Sequence, residues 1–354
     1  ILKKYFKIKD HNKSDLFLTA LATICDVMPL RGLNRSIILN AFNEYNYRNL
    51  YFVDYFLKQI KKNNKLEYDD FGYLIGPILN SGGRLNKSNL ATKLIVSTKK
   101  EEIKKISNTL IDQNNKRKEI EKKIINKIDN DKDLIKINDT FIIIKDISIN
   151  EGLIGIIAAR YKEKYNKTTI VFTQSKNLLK GSARSTTNIN IGSIINNAVL
   201  KNIMINGGGH KMAAGFSMNK KNFNLFIKFL KEYPINKQTN SKKYISKISS
   251  SAININFVKD LENLAPFGND NRRPIFLIEN LIIKKPKIIN DLHIHCLLKD
   301  KKNKFFNSII FNANKTKLGD CILNYKKEIK VLCKFKLYGT NNNKISAHIV
   351  DIII

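Results

Sequence analysis

Apolar positions in the first hundred residues recur at helical spacing. Leu16, Leu18 and Leu21 contribute to the apolar face of a segment that Ser14 can cap, and further helical patterns run through 36–43, 49–61 and 89–96. Gly82 and Gly83 break the pattern, which places 80–84 in a loop. From 100 to 130 an incomplete stripe of Ile103, Ile106, Leu110, Ile120, Ile124 and Ile125 continues without Pro or Gly. A single helix of about 30 residues would span roughly 45 Å, which suits a connector between domains. Farther on the pattern alternates. Short apolar runs at 141–144 and 169–172, and a run at 178–184 ending in a polar loop, read as strands. Segments 153–165, 190–200 and 222–232 read as helices, with a further strand after 210. A polar stretch at 234–250 reads as a linker. Strand-like runs then follow at 274–278, 292–298, 305–311, 329–337 and 345–354, as in a small barrel or sandwich. The expected domains are therefore 1–98, a connecting helix at 99–132, an α/β domain at 133–233, the linker, and a β domain at 251–354.

The chain has 354 residues, enough for two or three domains that each bury a core. It holds no apolar run long enough to span a membrane as a helix. Lys and Arg outnumber Asp and Glu by 63 to 30, a net charge of +33, and a field of that sign attracts polyanions such as nucleic acid. Part of this excess reflects a chain rich in Ile, Lys and Asn throughout, with no Trp. The cysteines, Cys25, Cys296, Cys321 and Cys333, form no C-x-x-C pair, so neither a zinc knuckle nor a dithiol redox site is indicated. Isolated thiols amid apolar neighbours fit a reduced, cytoplasmic protein.

Candidate chemistry concentrates in a few places. Residues 206–216 read Asn-Gly-Gly-Gly-His-Lys-Met-Ala-Ala-Gly-Phe. Three glycines weaken any helix or strand, so Gly208 and Gly209 point to a place where backbone approaches a ligand, with His210 able to hydrogen-bond a phosphate oxygen. Ser182 and Arg184 would project to one face of an extended segment, where a hydroxyl and a guanidinium can converge on one anion. Arg84 follows Ser81-Gly82-Gly83 and can offer a bidentate fork to a phosphate, with Asn80 positioning the loop. Asp26 lies among apolar neighbours, and a carboxylate there needs a metal, a salt bridge or a helix-end hydrogen bond. His293 and His295 alternate on one strand without a third ligand nearby, and Phe305 and Phe306 could stack on bases or fill a core.

The segment 206–216 resembles the Gly-Gly-His-x-x-Ala-Ala-Gly signature of the Asp-His-His (DHH) phosphoesterase superfamily. Residues 21–30 (LATICDVMPL), 76–85 (GPILNSGGRL), 117–121 (RKEIE), 151–160 (EGLIGIIAAR), 180–185 (KGSARS) and 266–276 (PFGNDNRRPIF) follow the order and spacing of the RecJ single-strand-specific exonucleases. The resemblance covers nearly the whole chain. It implies an α/β multidomain protein: the C-terminal part of a DHH catalytic domain, a long connecting helix, a DHH-associated substrate-binding domain and an OB-like barrel. It implies 5′→3′ hydrolysis of single-stranded DNA in repair and recombination, with two Mn²⁺ or Mg²⁺ ions. Asp26 would then be a catalytic metal ligand, and Arg84, Ser182, Arg184 and His210 would grip phosphates, the Ser182–Arg184 pair at the 5′ end. Single-stranded DNA, a single-strand-binding protein and a helicase are the implied partners. Two departures stand out. Asn150 occupies the place of a His usually preceded by Trp, and no Asp-His-His triplet occurs, since Asp10-His11 is followed by Asn12. The chain thus reads as a RecJ starting inside the catalytic domain, with most metal ligands upstream. The alternatives are another DHH phosphoesterase, an oligoribonuclease or cyclic-dinucleotide hydrolase, and a non-catalytic single-strand-binding derivative. Residues 251–354 discriminate against the first.

Overall fold

The computed structural model describes residues 13–44, 46, 49–60, 66–84, 89–234, 244–339 and 343–353. The chain divides into two compact units. One comprises Ile1–Pro77, Leu94–Ser107 and Lys242–Ile354, and the other comprises Ile78–Lys93 and Asn108–Ser241.

The first unit opens with helices α1 (Lys13–Cys25), α2 (Gly32–Glu44) and α3 (Tyr51–Ile60). Ser14 falls inside the first turn of α1 rather than ahead of it. A helical run from Tyr68 includes a π-turn at Phe71–Ile75. There Phe71 sits edge-on to Phe17, with ring centroids 5.0 Å apart, and its carbonyl accepts from the Cys25 thiol at 3.2 Å. Burial pushes that thiol up to about 11. Helices α4 (Asn89–Val96) and α5 (Lys100–Asn130) follow, and boundaries between the units fall within both.

The second unit is built on a six-stranded sheet of β1 (Ile135–Ile137), β2 (Phe141–Lys145), β3 (Thr168–Ser175), β4 (Leu178–Arg184), β5 (Asn206–His210) and β6 (Ala213–Asn219). The order is β1-β2-β3-β4-β6-β5. β2 and β3 are parallel and joined through α6 (Ile154–Tyr165), and the other pairings are antiparallel. Alternation along β2 sends Ile142 and Ile144 to one face, where α6 and the end of α5 supply Ile157, Tyr161 and Ile128. Phe141 and Ile143 go to the other face, covered by α7 (Ile191–Leu200) and α8 (Phe223–Glu232). Burial on both faces explains why β2 and β3 read as continuous apolar runs. Polar ties hold α5 on its face: Lys127 pairs with Asp146 at 2.8 Å, and the Tyr161 hydroxyl donates to Asp129 at 2.7 Å.

The C-terminal part of the first unit is a closed five-stranded barrel. β7 (Ser246–Lys247) falls inside the stretch read as linker and pairs in parallel with β8 (Phe276–Ile289). Residues 235–243 of that stretch lie outside the described residues. α9 (Ile255–Glu262) precedes β8. β9 (His293–Lys299), β10 (Phe305–Ile310), α10 (Lys317–Asn324), β11 (Ile329–Tyr338) and β12 (Lys344–Ile353) complete the barrel. The strands run β8-β9-β10-β12-β11, and β11 returns to β8. Val258 of α9 and Ile322 of α10 enter the barrel core. β8 extends well past the run at 274–278, because a register shift between Lys284 and Lys287 lets a lysine-rich, Pro-containing stretch stay in the ladder. The loop before β8 docks on the α1–α2 connection: the Leu30 amide donates to Asn269 O at 2.8 Å, and Arg35 Nη1 to Leu264 O at 2.8 Å. Among the described residues no helix is long and apolar enough to cross a membrane.

Phe226 is fully buried, with Phe172 at 6.0 Å and Phe216 at 5.7 Å. Phe226→Ala is expected to cost about 3–5 kcal/mol, read as a lower urea midpoint for the transition of the second unit.

Candidate functional site

Along β4 the side chains alternate strictly. Leu179 and Ala183 enter the core, while Lys180, Ser182 and Arg184 face the other way. The ladder carries this face across two more strands. Arg184 is paired with Ala213 and Ala213 with His210, Ser182 with Gly215 and Gly215 with Gly208, and Lys180 with Ser217 and Ser217 with Asn206. Residues opposite one another share a face, so Ser182, Arg184, Gly208 and His210 stand on one surface.

The start of α6 lies above it. A Cβ on Gly155 would come within 3.1 Å of Arg184 Nη2 and 3.3 Å of Ser182 Oγ, so glycine leaves that space open. Arg184 Nη1 donates to Ala183 O at 2.9 Å and to Ser182 Oγ at 3.3 Å. Arg84 Nη1 donates to Gly152 O at 3.0 Å. Together Arg84, Ser182, Gly155, Gly215, Lys180 and Glu151 help line an open cleft of about 390 Å³. Burial pulls the Arg184 guanidinium below its ordinary pKa. Burial also lowers that of Arg84, as do the nearby Arg117 and Arg184, while Glu121 opposes the shift. No carboxylate bonds to Arg84 or Arg184 among the described residues. At the rim Lys180 pairs with Glu151 at 2.8 Å, and that hydrogen bond holds the Glu151 carboxyl below its usual range.

Glu121 belongs to a buried network. Its Oε2 accepts from Arg117 Nη1 at 2.9 Å and its Oε1 from Arg160 Nε at 2.7 Å, while Arg117 also donates to Asn114 Oδ1. None of these was singled out as a site residue from the sequence. The advance signals were the RKEIE segment on the long helix, which holds Arg117 and Glu121, and the segment EGLIGIIAAR, which ends at Arg160.

The segment 80–84 departs from the expected loop. Ser81–Arg84 forms a helical turn, because Ser81 is fully buried and its hydroxyl donates to Ile78 O at 2.6 Å and to Leu110 O at 3.0 Å. That anchoring outweighs the low helix propensity of Gly82 and Gly83. Asn80 is exposed, and its carbonyl accepts from the Arg84 amide at 3.4 Å. The glycine triplet is also not an open loop but strand β5. A Cβ on Gly209 would stand 2.2 Å from Ala213 O, whereas one on Gly208 meets nothing within 4 Å. Packing therefore requires Gly209, and within the triplet only Gly208 has open space beside its Cα. His210 is exposed, and its imidazole makes no hydrogen bond among the described residues. Asn150 accepts from the Gly152 amide at 2.8 Å and so caps the turn into α6.

Asp26 belongs to the first unit. It is exposed in the turn after α1, beside exposed Val27 and Met28, so the apolar neighbours do not bury its carboxylate as expected. Among the described residues no group of three or more His, Cys, Asp or Glu is placed to hold a metal ion. Asp10 and His11 lie outside the described residues. On the barrel exterior His293 accepts from the Asn312 amide at 3.0 Å and stands edge-on to Phe311, as does His348. Burial, then Lys336, Arg273 and Lys334, push His348 down to about 4. Phe305 is exposed, whereas Phe306 fills the core.

Comparison with known proteins bears on both units. A family model described as the DHHA1 domain matches residues 138–234, and one described as the RecJ OB domain matches 246–351. The single-stranded-DNA-specific exonuclease RecJ of Haemophilus influenzae is 26% identical over 97% of this chain and 62% of its own length. Those of Bacillus subtilis and Escherichia coli are 24% and 29% identical over 82% and 60% of this chain, in each case 38% of the relative. RecJ from Thermus thermophilus in complex with Mn²⁺ has a similar fold, with a TM-score of 0.77 at 20% identity, over all of this chain and 51% of that one. Its complex with Mg²⁺ gives 0.77 at 19%. The chain thus spans between 38% and 62% of these curated relatives. It is an α/β protein that joins a DHHA1 domain to an OB barrel closed by five strands. Within that class it is a RecJ-like protein.

The two glycines separate packing from access. Gly209→Ala is expected to destabilise by about 1–3 kcal/mol through overpacking. Gly208→Ala should stay within about 0.5 kcal/mol of the parent, with both read by thermal denaturation.

Proposed function

We propose that the chain serves a RecJ-like exonuclease that degrades single-stranded DNA from its 5′ end, and that the second unit grips the 5′-terminal phosphate. The observation that carries this reading is the grouping of Arg84 and Ser182 in one open cleft with Arg184 hydrogen-bonded to Ser182 beside it, and with no acid bonded to either guanidinium among the described residues. Guanidinium forks match phosphate oxygens bidentately, and a hydroxyl adds a donor. Partly buried cations without a carboxylate partner are relieved by an incoming anion. His210 and the bare backbone at Gly208 extend the donor surface along the same face. The relatives' name, single-stranded-DNA-specific exonuclease, supports the substrate class.

The barrel supports engagement of a single strand through charge and stacking. Exposed Phe305 and the His293–Phe311–His348 group are the aromatic candidates, with lysines around them. The presence of a RecJ OB domain at 246–351 favours long strands over the dinucleotides of other DHH phosphoesterases. The solved Thermus relatives are complexes with Mn²⁺ and Mg²⁺. Among the described residues the donor set does not fit a two-metal centre, since Asp26 supplies one exposed carboxylate. The residues of this chain bind and orient the strand.

Binding of a fluorescent oligonucleotide with a 5′-phosphate or a 5′-hydroxyl tests the reading. The parent should prefer the phosphate about tenfold, and Arg184→Ala should abolish that preference. A parent indifferent to the terminal phosphate, or a preference that survives the substitution, would sink it.

A further inference from the structure

A second concavity adjoins the first. It has a volume of about 220 Å³ and shares Arg84 and Gly155 with the larger cleft, adding Arg184, Ile156, Ala159, Arg160 and Glu163. Arg160 is the new cation, and the buried network sets its direction. Its Nε donates to Glu121 Oε1 at 2.7 Å, and its Nη1 lies 3.8 Å from Glu163 Oε2. Glu121 is held in turn by Arg117 Nη1 at 2.9 Å, and its side chain is only 8% exposed. One edge of the Arg160 fork is therefore fixed. Its Nη2 makes no hydrogen bond among the described residues, and the side chain is 49% exposed. The concavity thus holds three guanidinium groups against one carboxylate, Glu163, which Arg160 partly neutralises.

A strand carries a phosphate at every nucleotide, and the two clefts meet at Arg84, with Arg184 of the smaller one hydrogen-bonded to Ser182 of the larger. A charge placed between adjacent phosphates can serve both, while an arginine oriented by a buried carboxylate loses little entropy on binding. We propose that the smaller cleft is a second phosphate subsite, in which Arg160, oriented by Glu121, binds the phosphodiester next to the terminal phosphate. This rests on the terminal-phosphate reading above. It makes the site a reader of two consecutive phosphates, so a dinucleotide is the smallest ligand that fills it. Arg160 is a binding residue, and Glu121 is a positioning residue that acts through it.

The test compares 5′-phosphorylated thymidine mono-, di- and trinucleotides at one ionic strength, by calorimetry or by competition against a labelled strand. Arg160→Gln should leave the mononucleotide unchanged and weaken the di- and trinucleotide about tenfold. Arg160→Lys, which keeps the charge but loses the fork, should recover only part of this. Glu121→Gln should lower the thermal midpoint and weaken the dinucleotide more than the mononucleotide. Equal loss on all three ligands with Arg160→Gln, or no loss on any, overturns the second subsite. Mononucleotide binding that survives Arg184→Ala instead overturns the terminal-phosphate reading itself, and the two failures are distinct.

Discussion

Mutual repulsion among arginines is the constraint around which the second unit is organised. Arg84 feels both Arg117 and Arg184, and one buried carboxylate, Glu121, opposes them. Like charges gathered out of water raise the free energy of the folded state unless something restrains them. Here the restraint is structural and incomplete. Glu121 takes two of its hydrogen bonds from Arg117 and Arg160, backbone carbonyls of Ala183 and Gly152 hold Arg184 and Arg84, and the remaining donors face open clefts. An anion is the natural complement of such an arrangement, and the elements around it are placed accordingly.

The two-residue period of β4 separates functions within one strand. Leu179 and Ala183 pack with Phe172, Phe216 and Phe226 on one side, which makes the strand rigid, while Lys180, Ser182 and Arg184 present charge on the other. That pairing of Ser182 with Arg184 was legible from the sequence because it depends only on local alternation. Arg84 was legible as a chemical type, but its local structure was not. The buried Ser81 hydroxyl closes a helical turn through a bond to Leu110, twenty-nine residues away. The Glu121–Arg160 pair, thirty-nine residues apart, was not legible for the same reason. A contact set by tertiary packing leaves no periodic trace.

The glycine triplet shows how one composition signal can mix two causes. Read as sequence, the three residues imply close approach to a ligand. In the fold, Gly209 is required by Ala213 and Ala214 of the paired strand, and Gly208 alone stands clear. The barrel was legible as a series of short strands. Its longest strand was underestimated because a bulge accommodates lysines and Pro286 that a sequence pattern treats as a turn. Phe305 and Phe306, adjacent and identical in type, divide between surface and core, a choice settled by strand register alone.

β5 lies at the edge of its sheet, paired on one side only. An edge strand built largely of glycine has few side chains to obstruct another backbone, which is the usual opening for strand addition between copies. Its short length limits the risk, and so does the chain's net charge of +33, which keeps like molecules apart. That second protection is electrostatic and fades as salt shortens the screening length to about 8–10 Å. Colloidal stability and electrostatic attraction for polyanions therefore share one source and weaken together as ionic strength rises.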